Sequence, residues 1–232
     1  MNKRNILAAG LSGISLILML VTMYLVFIYV PTEKEMGFVQ RIFYLMVPMG
    51  WLAILSFVII FIASILYLAS RKDKWDILGH CAAELGIMFT TLALITGSIW
   101  ARPIWGVWWT WEPRLTATLV LWFIYLAYFI VPSFATEKSR AATFAAVIGI
   151  LGFIDVPIIG MATSLWRGMH PPLIIFREGG IDPRMLLTVI VSVVAFTALF
   201  SLLLMQRVSL KNDELEFERL QELSRQTKIQ GV

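Results

Sequence analysis

The sequence predicts an all-α integral membrane protein, a bundle of six transmembrane helices with a short tryptophan-rich interfacial helix on the outer face. Three observations carry that prediction. The chain of 232 residues is 59 % hydrophobic and only 15 % charged, with a mean hydropathy of +0.82, more apolar surface than a soluble domain of this size can hide. Its apolar residues fall in runs long enough to cross a bilayer, which takes about 20 residues. Between the third and fourth runs stands WGVWWTWEPRLT, Trp105 to Thr116, with four tryptophans in seven residues and then Glu112, Pro113 and Arg114.

The first run, from about Ile6 to Val30, is too long for a signal-peptide core and has no small-residue cleavage site behind it, so it is expected as an uncleaved first helix. Further runs follow at about 47–69, 82–100, 115–132, 142–163 and 185–205. Arg41 and Tyr44, three apart, suit an amphipathic entry turn before the second span, near whose outer end Met46 falls. The third span carries Glu84 near its inner end and Thr96-Gly97-Ser98 near its outer end. The fifth holds Asp155 and Pro157. A carboxylate at that depth is costly and points to function by default, unless it is neutral or capped by backbone groups that the proline frees. Residues 1–208 thus form the six-span membrane domain, and 209–232 an amphipathic tail with Leu210, Phe217, Leu220 and Leu223 among charges.

Orientation follows from lysine and arginine in the connections. With the N-terminus inside, twelve of the nineteen basic residues fall on the cytoplasmic side and seven on the outer side. Both termini are therefore expected in the cytoplasm. The net charge of +4 is scattered between apolar runs and gives no footprint for nucleic acid. The single cysteine, Cys81, excludes an internal disulfide, a CxxC redox pair and a CxxCH haem attachment. The chain has no GxxxxGK[ST] loop and no HExxH. Imidazole chemistry is confined to His80, expected at the cytoplasmic boundary, and His170, in the last outer loop.

In the tryptophan stretch, Pro103 suits a first helical turn and Pro113 disfavours helix at Glu112, which predicts a short helix over 103–111. On it Trp105, Trp108 and Trp109 share a face by i, i+3, i+4 spacing, with Trp111 beside them. The bland alternative is a belt of interfacial tryptophans, but four on one segment between Arg102 and Arg114 exceed what a belt needs. Six of the seven outer cations are arginine, which bonds carboxylates in a planar, bidentate fashion; pairing with neighbouring acids or lipid phosphate is the plain alternative. A π-rich platform, arginines, Met46 and His170 on one face suit haem. Its macrocycle stacks on indoles, its carboxylates take arginine, and its iron takes His or Met axially. Without CxxCH such a haem is held non-covalently.

WGVWWTWEPRLT, preceded by TGSIWARPI, resembles the tryptophan-rich motif of the haem-handling proteins of cytochrome c maturation. With RIFYLMVPMGW, AAELG, the VPI of the fifth span and SLWRGMHPP, the chain looks most like the cytochrome c maturation protein C (CcmC) family. The resemblance implies haem b bound at the outer membrane face by Trp105, Trp108, Trp109, Trp111, Glu112 and Arg114. It implies delivery to a periplasmic haem chaperone, in association with an ABC-type ATPase and its membrane subunit. Two histidines ligate iron in that family. His170 matches the second, while Met46 stands where the first falls, and Glu112 replaces the motif's aspartate. Ligation by His170 and Met46, or by His170 with an open position, are the two alternatives. The resemblance implies a haem-transfer protein rather than an enzyme. A membrane cytochrome c synthase, or a transporter using Glu84 and Asp155, are the other classes weighed.

Overall fold

The computed structural model describes residues 3–33, 36–165 and 182–230. Helix α1 (Lys3–Tyr24) runs into one π-helical turn (Leu25–Tyr29), and a 3₁₀ turn (Phe38–Ile42) leads into α2 (Phe43–Ser70). Helices α3 (Asp73–Trp105), α4 (Pro113–Ser133), α5 (Lys138–Gly152), α6 (Asp155–Leu165) and α7 (Pro183–Gln230) follow. Among the described residues, six helical segments are long and apolar enough to cross a membrane, α5 and α6 together making the fifth. The expected six-span, all-α architecture is the one observed, and the described residues form no strand.

Short links make the second to fifth spans alternate in direction. Between α2 and α3 the chain turns at Arg71, which takes a left-handed conformation (φ 53°) and returns its N–H to the Tyr67 carbonyl at 2.7 Å. The fifth span is broken at Phe153 and Ile154. Pro157 explains the break: it has no N–H to give the Phe153 carbonyl, and its ring collides with that group in a continuous helix. Val156 N–H takes the carbonyl instead, at 3.2 Å.

The core is assembled where small residues let helices approach. Tyr125 is fully buried, donates to the Ala53 carbonyl at 2.7 Å and meets Phe57 edge-on, with ring centroids 5.1 Å apart. Its ring occupies the space beside Gly86, where an added Cβ would stand 2.3 Å from the phenol. Trp122 of α4 donates to Thr91 of α3 at 2.9 Å, pinning together the two helices that flank the tryptophan segment. Outward, large apolar side chains such as Leu16, Ile28 and Ile154 are exposed. That is expected of a surface whose solvent is hydrocarbon.

Two features differ from expectation. The predicted short helix over 103–111 is absent: α3 continues through Pro103 and ends at Trp105, and 106–112 is irregular. Pro103 sits in the last turn of α3 rather than opening a new helix, and Gly106, at φ +75°, terminates it as a left-handed cap. The stretch from Ser209 is helical, but it continues α7 without interruption. At 1.5 Å per residue the whole helix is about 72 Å long, so it runs well beyond a bilayer.

Candidate functional site

One end of the bundle gathers the start of α2, the end of α3, the irregular 106–112 segment and the start of α4. The segment is closed at its first residue. Gly106 N–H bonds the Arg102 carbonyl at 3.0 Å, and the Arg102 guanidinium donates back to the Gly106 carbonyl while lying 6.0 Å over the Trp108 ring. Arg102 is thus a buttress of the segment. At the other end Glu112 is extended (φ −74°, ψ 156°), and its carbonyl accepts the Thr116 N–H at 3.0 Å to open α4, with Pro113 at the first helical position.

Between these closures the tryptophans adopt two edge-on pairs instead of one helical face. Trp105 meets Trp100 at 5.2 Å and Trp109 meets Trp111 at 5.9 Å. Trp108 and Trp111 are 60 % and 77 % exposed, so two broad indole surfaces remain open to a planar partner. Edge-on pairing leaves ring faces available, which stacked pairing would consume.

The polar groups of this end are incompletely used. Trp100 Nε1, Trp109 Nε1 and Thr110 Oγ1 are buried and have no hydrogen-bond partner among the described residues. Arg114, half-buried, stands in the first turn of α4 within electrostatic reach of Glu112. A cation there opposes the helix dipole, which favours negative charge at a helix start. A carboxylate-bearing ligand would satisfy both the dipole and the guanidinium. These residues fit a flat aromatic ligand with carboxylates.

Met46, in the first turn of α2, points its sulfur at α3, 3.6 Å from the place a Cβ on Gly97 would take. Trp100 and Ala101, three and four residues on, share that face of α3 and are buried. Met46 therefore stands one turn from the residue that supports Trp105. His170 lies outside the described residues, as do Trp166, Arg167 and Arg177. Of the other arginines expected on the outer side, Arg184 pairs with Asp182 at 3.5 Å, and Arg41 donates to the Phe27 carbonyl at 2.6 Å beneath the Phe38 ring.

The remaining charged groups belong elsewhere. Glu84 of α3 is held by Arg207 of α7 through two guanidinium nitrogens, with His80 at 3.5 Å. This network lies towards the opposite end from the tryptophans. Asp155 is 8 % exposed at the start of α6, and its Oδ2 has no partner among the described residues.

Comparison with known proteins gives the family. The family CcmC, described as "Heme exporter protein C", matches residues 2–222. The chain belongs to the CcmC family. It is 37 % identical over 172 residues to "Heme exporter protein C" of Bradyrhizobium diazoefficiens, covering 73 % of this chain and 65 % of that protein, slightly under two thirds of its length. With the Rhodobacter capsulatus protein of the same name it shares 30 % over 206 residues, 88 % of this chain and 84 % of the relative. A "Putative cytochrome c biosynthesis ccmC-like mitochondrial protein" of Marchantia polymorpha is 31 % identical over 169 residues, covering 73 % and 72 %. Two residues of this CcmC member were not singled out from sequence. Trp100 stands at the end of the third apolar run and Thr110 between Trp109 and Trp111. Only the folded chain shows that both carry an unused donor.

Proposed function

We propose that this CcmC-family protein binds haem b non-covalently at the outer face of the bacterial inner membrane and hands it to a periplasmic haem chaperone during c-type cytochrome maturation. Haem is the cargo. The observation that carries the proposal is the pairing of open indole surfaces, Trp108 and Trp111, with unused buried donors on Trp100, Trp109 and Thr110 in one segment. In this proposal Trp105, Trp108, Trp109 and Trp111 cradle the macrocycle, Arg114 with Glu112 beside it receives carboxylates, and His170 holds iron. Met46 supplies the second axial ligand, which raises the iron's potential relative to two histidines.

The distribution of basic residues supports the cytoplasmic placement of both termini in this scheme. The relatives' names, haem exporter and cytochrome c biosynthesis protein, support haem as cargo. An ABC-type ATPase and its membrane subunit are the partners proposed for release of the loaded chaperone. A hold made of stacking and axial bonds, with no covalent link, lets transfer run as a balance of affinities.

The test is the absorption spectrum of detergent-purified protein, oxidised and reduced, beside His170→Ala and Met46→Ala. The expected result is a haem spectrum lost in His170→Ala and altered in Met46→Ala. Unchanged haem content in His170→Ala would overturn the anchor, and an unchanged spectrum in Met46→Ala would remove the thioether from the iron.

A further inference from the structure

The folded chain leaves three hydrogen-bond donors over at the tryptophan end. The indole N–H groups of Trp100 and Trp109 and the hydroxyl of Thr110 are buried without partners among the described residues. An indole N–H can only donate, so nothing but an acceptor relieves it. Edge-on ring packing offers at most a weak π contact: Trp100, 5 % exposed, is edge-on to Trp105, and Trp109 is edge-on to Trp111. Leaving such donors unmade costs the full desolvation of each group. Three of them within residues 100–110 call for an acceptor-rich partner.

We propose that Trp100 and Thr110 are cargo-binding residues which, with Trp109, donate hydrogen bonds to the carboxylates of haem. The proposal rests on the haem assignment above and extends it to two further residues, Trp100 ahead of the tryptophan motif and Thr110 within it. Within haem, the iron is matched by imidazole and thioether, and the macrocycle by indole faces. Only the two carboxylates are strong acceptors, and Arg114 alone does not saturate their four oxygens. Neutral donors add to that guanidinium without adding charge. Arg114 already has Glu112 within electrostatic reach. A carboxylate seated this way is held mainly by hydrogen bonds, which suits a cargo that has to leave.

The experiment titrates haem-free protein in detergent with ferric haem and with its dimethyl ester, reading dissociation constants from absorbance. It compares wild type, Trp100→Phe and Thr110→Val; both remove the donor, Thr110→Val at constant shape and Trp100→Phe with a smaller ring, whose cavity affects both porphyrins alike. Each is expected to weaken haem binding roughly tenfold more than ester binding, the scale of one hydrogen bond to a charged group. Equal loss with both porphyrins, or no loss with haem, overturns the proposal. If Trp100→Phe does not fold, Thr110→Val, at a partly exposed position, decides alone. If wild type binds neither porphyrin, the haem assignment itself falls, a result distinct from any difference between variants.

Discussion

The sulfur of Met46 lies 3.6 Å from the point where a Cβ on Gly97 would stand. The thioether at the start of α2 is therefore held against bare backbone of α3, and the glycine sets how far it can reach. At 3.6 Å one methyl makes ordinary contact, so Gly97→Ala is expected to fold and to keep the wild-type haem spectrum. A leucine fills the space the sulfur now uses. Gly97→Leu is expected to reproduce the spectral change of Met46→Ala, measured as reduced-minus-oxidised difference spectra. A wild-type spectrum in Gly97→Leu would show that the thioether's position does not matter to the cargo.

Gly106 takes φ +75°, a conformation that costs a residue with a side chain about 1 kcal/mol. Gly106→Ala should strain the turn that launches the tryptophan segment, and Arg102→Met should remove the guanidinium that bonds its carbonyl. Both substitutions act on the platform without touching a proposed ligand. The expected outcome is faster haem loss, followed by transfer of haem to excess apomyoglobin, with a thermal unfolding midpoint close to wild type. Unchanged loss rates in both would mean that the segment's geometry is set by something other than this cap.

Much of the fold was legible in the sequence because a span has one requirement, about twenty apolar residues, and six runs meet it. The break in the fifth span was foreshadowed by Pro157, whose effect on the Phe153 carbonyl is local. The tryptophan segment was misread for a related reason. Proline is tolerated both in the first turn of a helix and near the end of one, and the sequence around Pro103 does not separate the two. Gly106 decides it, by stopping α3 one residue after Trp105. The donors of Trp100 and Thr110 left no trace in the sequence, since having no partner is a property of the packed chain.

Tyr125 fills the space beside Gly86, where an added Cβ would meet its ring and hydroxyl at 2.3–2.4 Å. The phenol has nowhere to go, being fully buried and bonded to the Ala53 carbonyl. Gly86→Ala is expected to destabilise the bundle by about 2 kcal/mol, the usual scale of overpacking. Tyr125→Phe removes only the hydroxyl and its bond, for about 1 kcal/mol. Combined with Gly86→Ala, it recovers part of the loss, because the hydroxyl is among the atoms in the way. Thermal unfolding in detergent measures all three, and a double variant worse than Gly86→Ala alone would contradict this packing.

Glu84 and Arg207 join α3 to α7 with two guanidinium nitrogens on one carboxylate, at side chains about 30 % exposed. The two partners are not equally dependent on each other. Arg207 also contacts Glu214 at 3.3 Å, whereas among the described residues Glu84 keeps only His80, at 3.5 Å, as an ion-pair neighbour once the arginine is gone. Removing the arginine should therefore cost more than removing the carboxylate. Arg207→Met is expected to lose about 2 kcal/mol and Glu84→Leu about half as much. In the double variant no charge of the pair is stranded, and apolar replacements of a partly buried pair are often neutral, so its unfolding midpoint should return towards wild type. Haem binding, proposed for the other end of the bundle, should follow the unfolding midpoint and show no separate effect. A selective loss of haem in Glu84→Leu with stability intact would instead make this carboxylate part of the cargo's path.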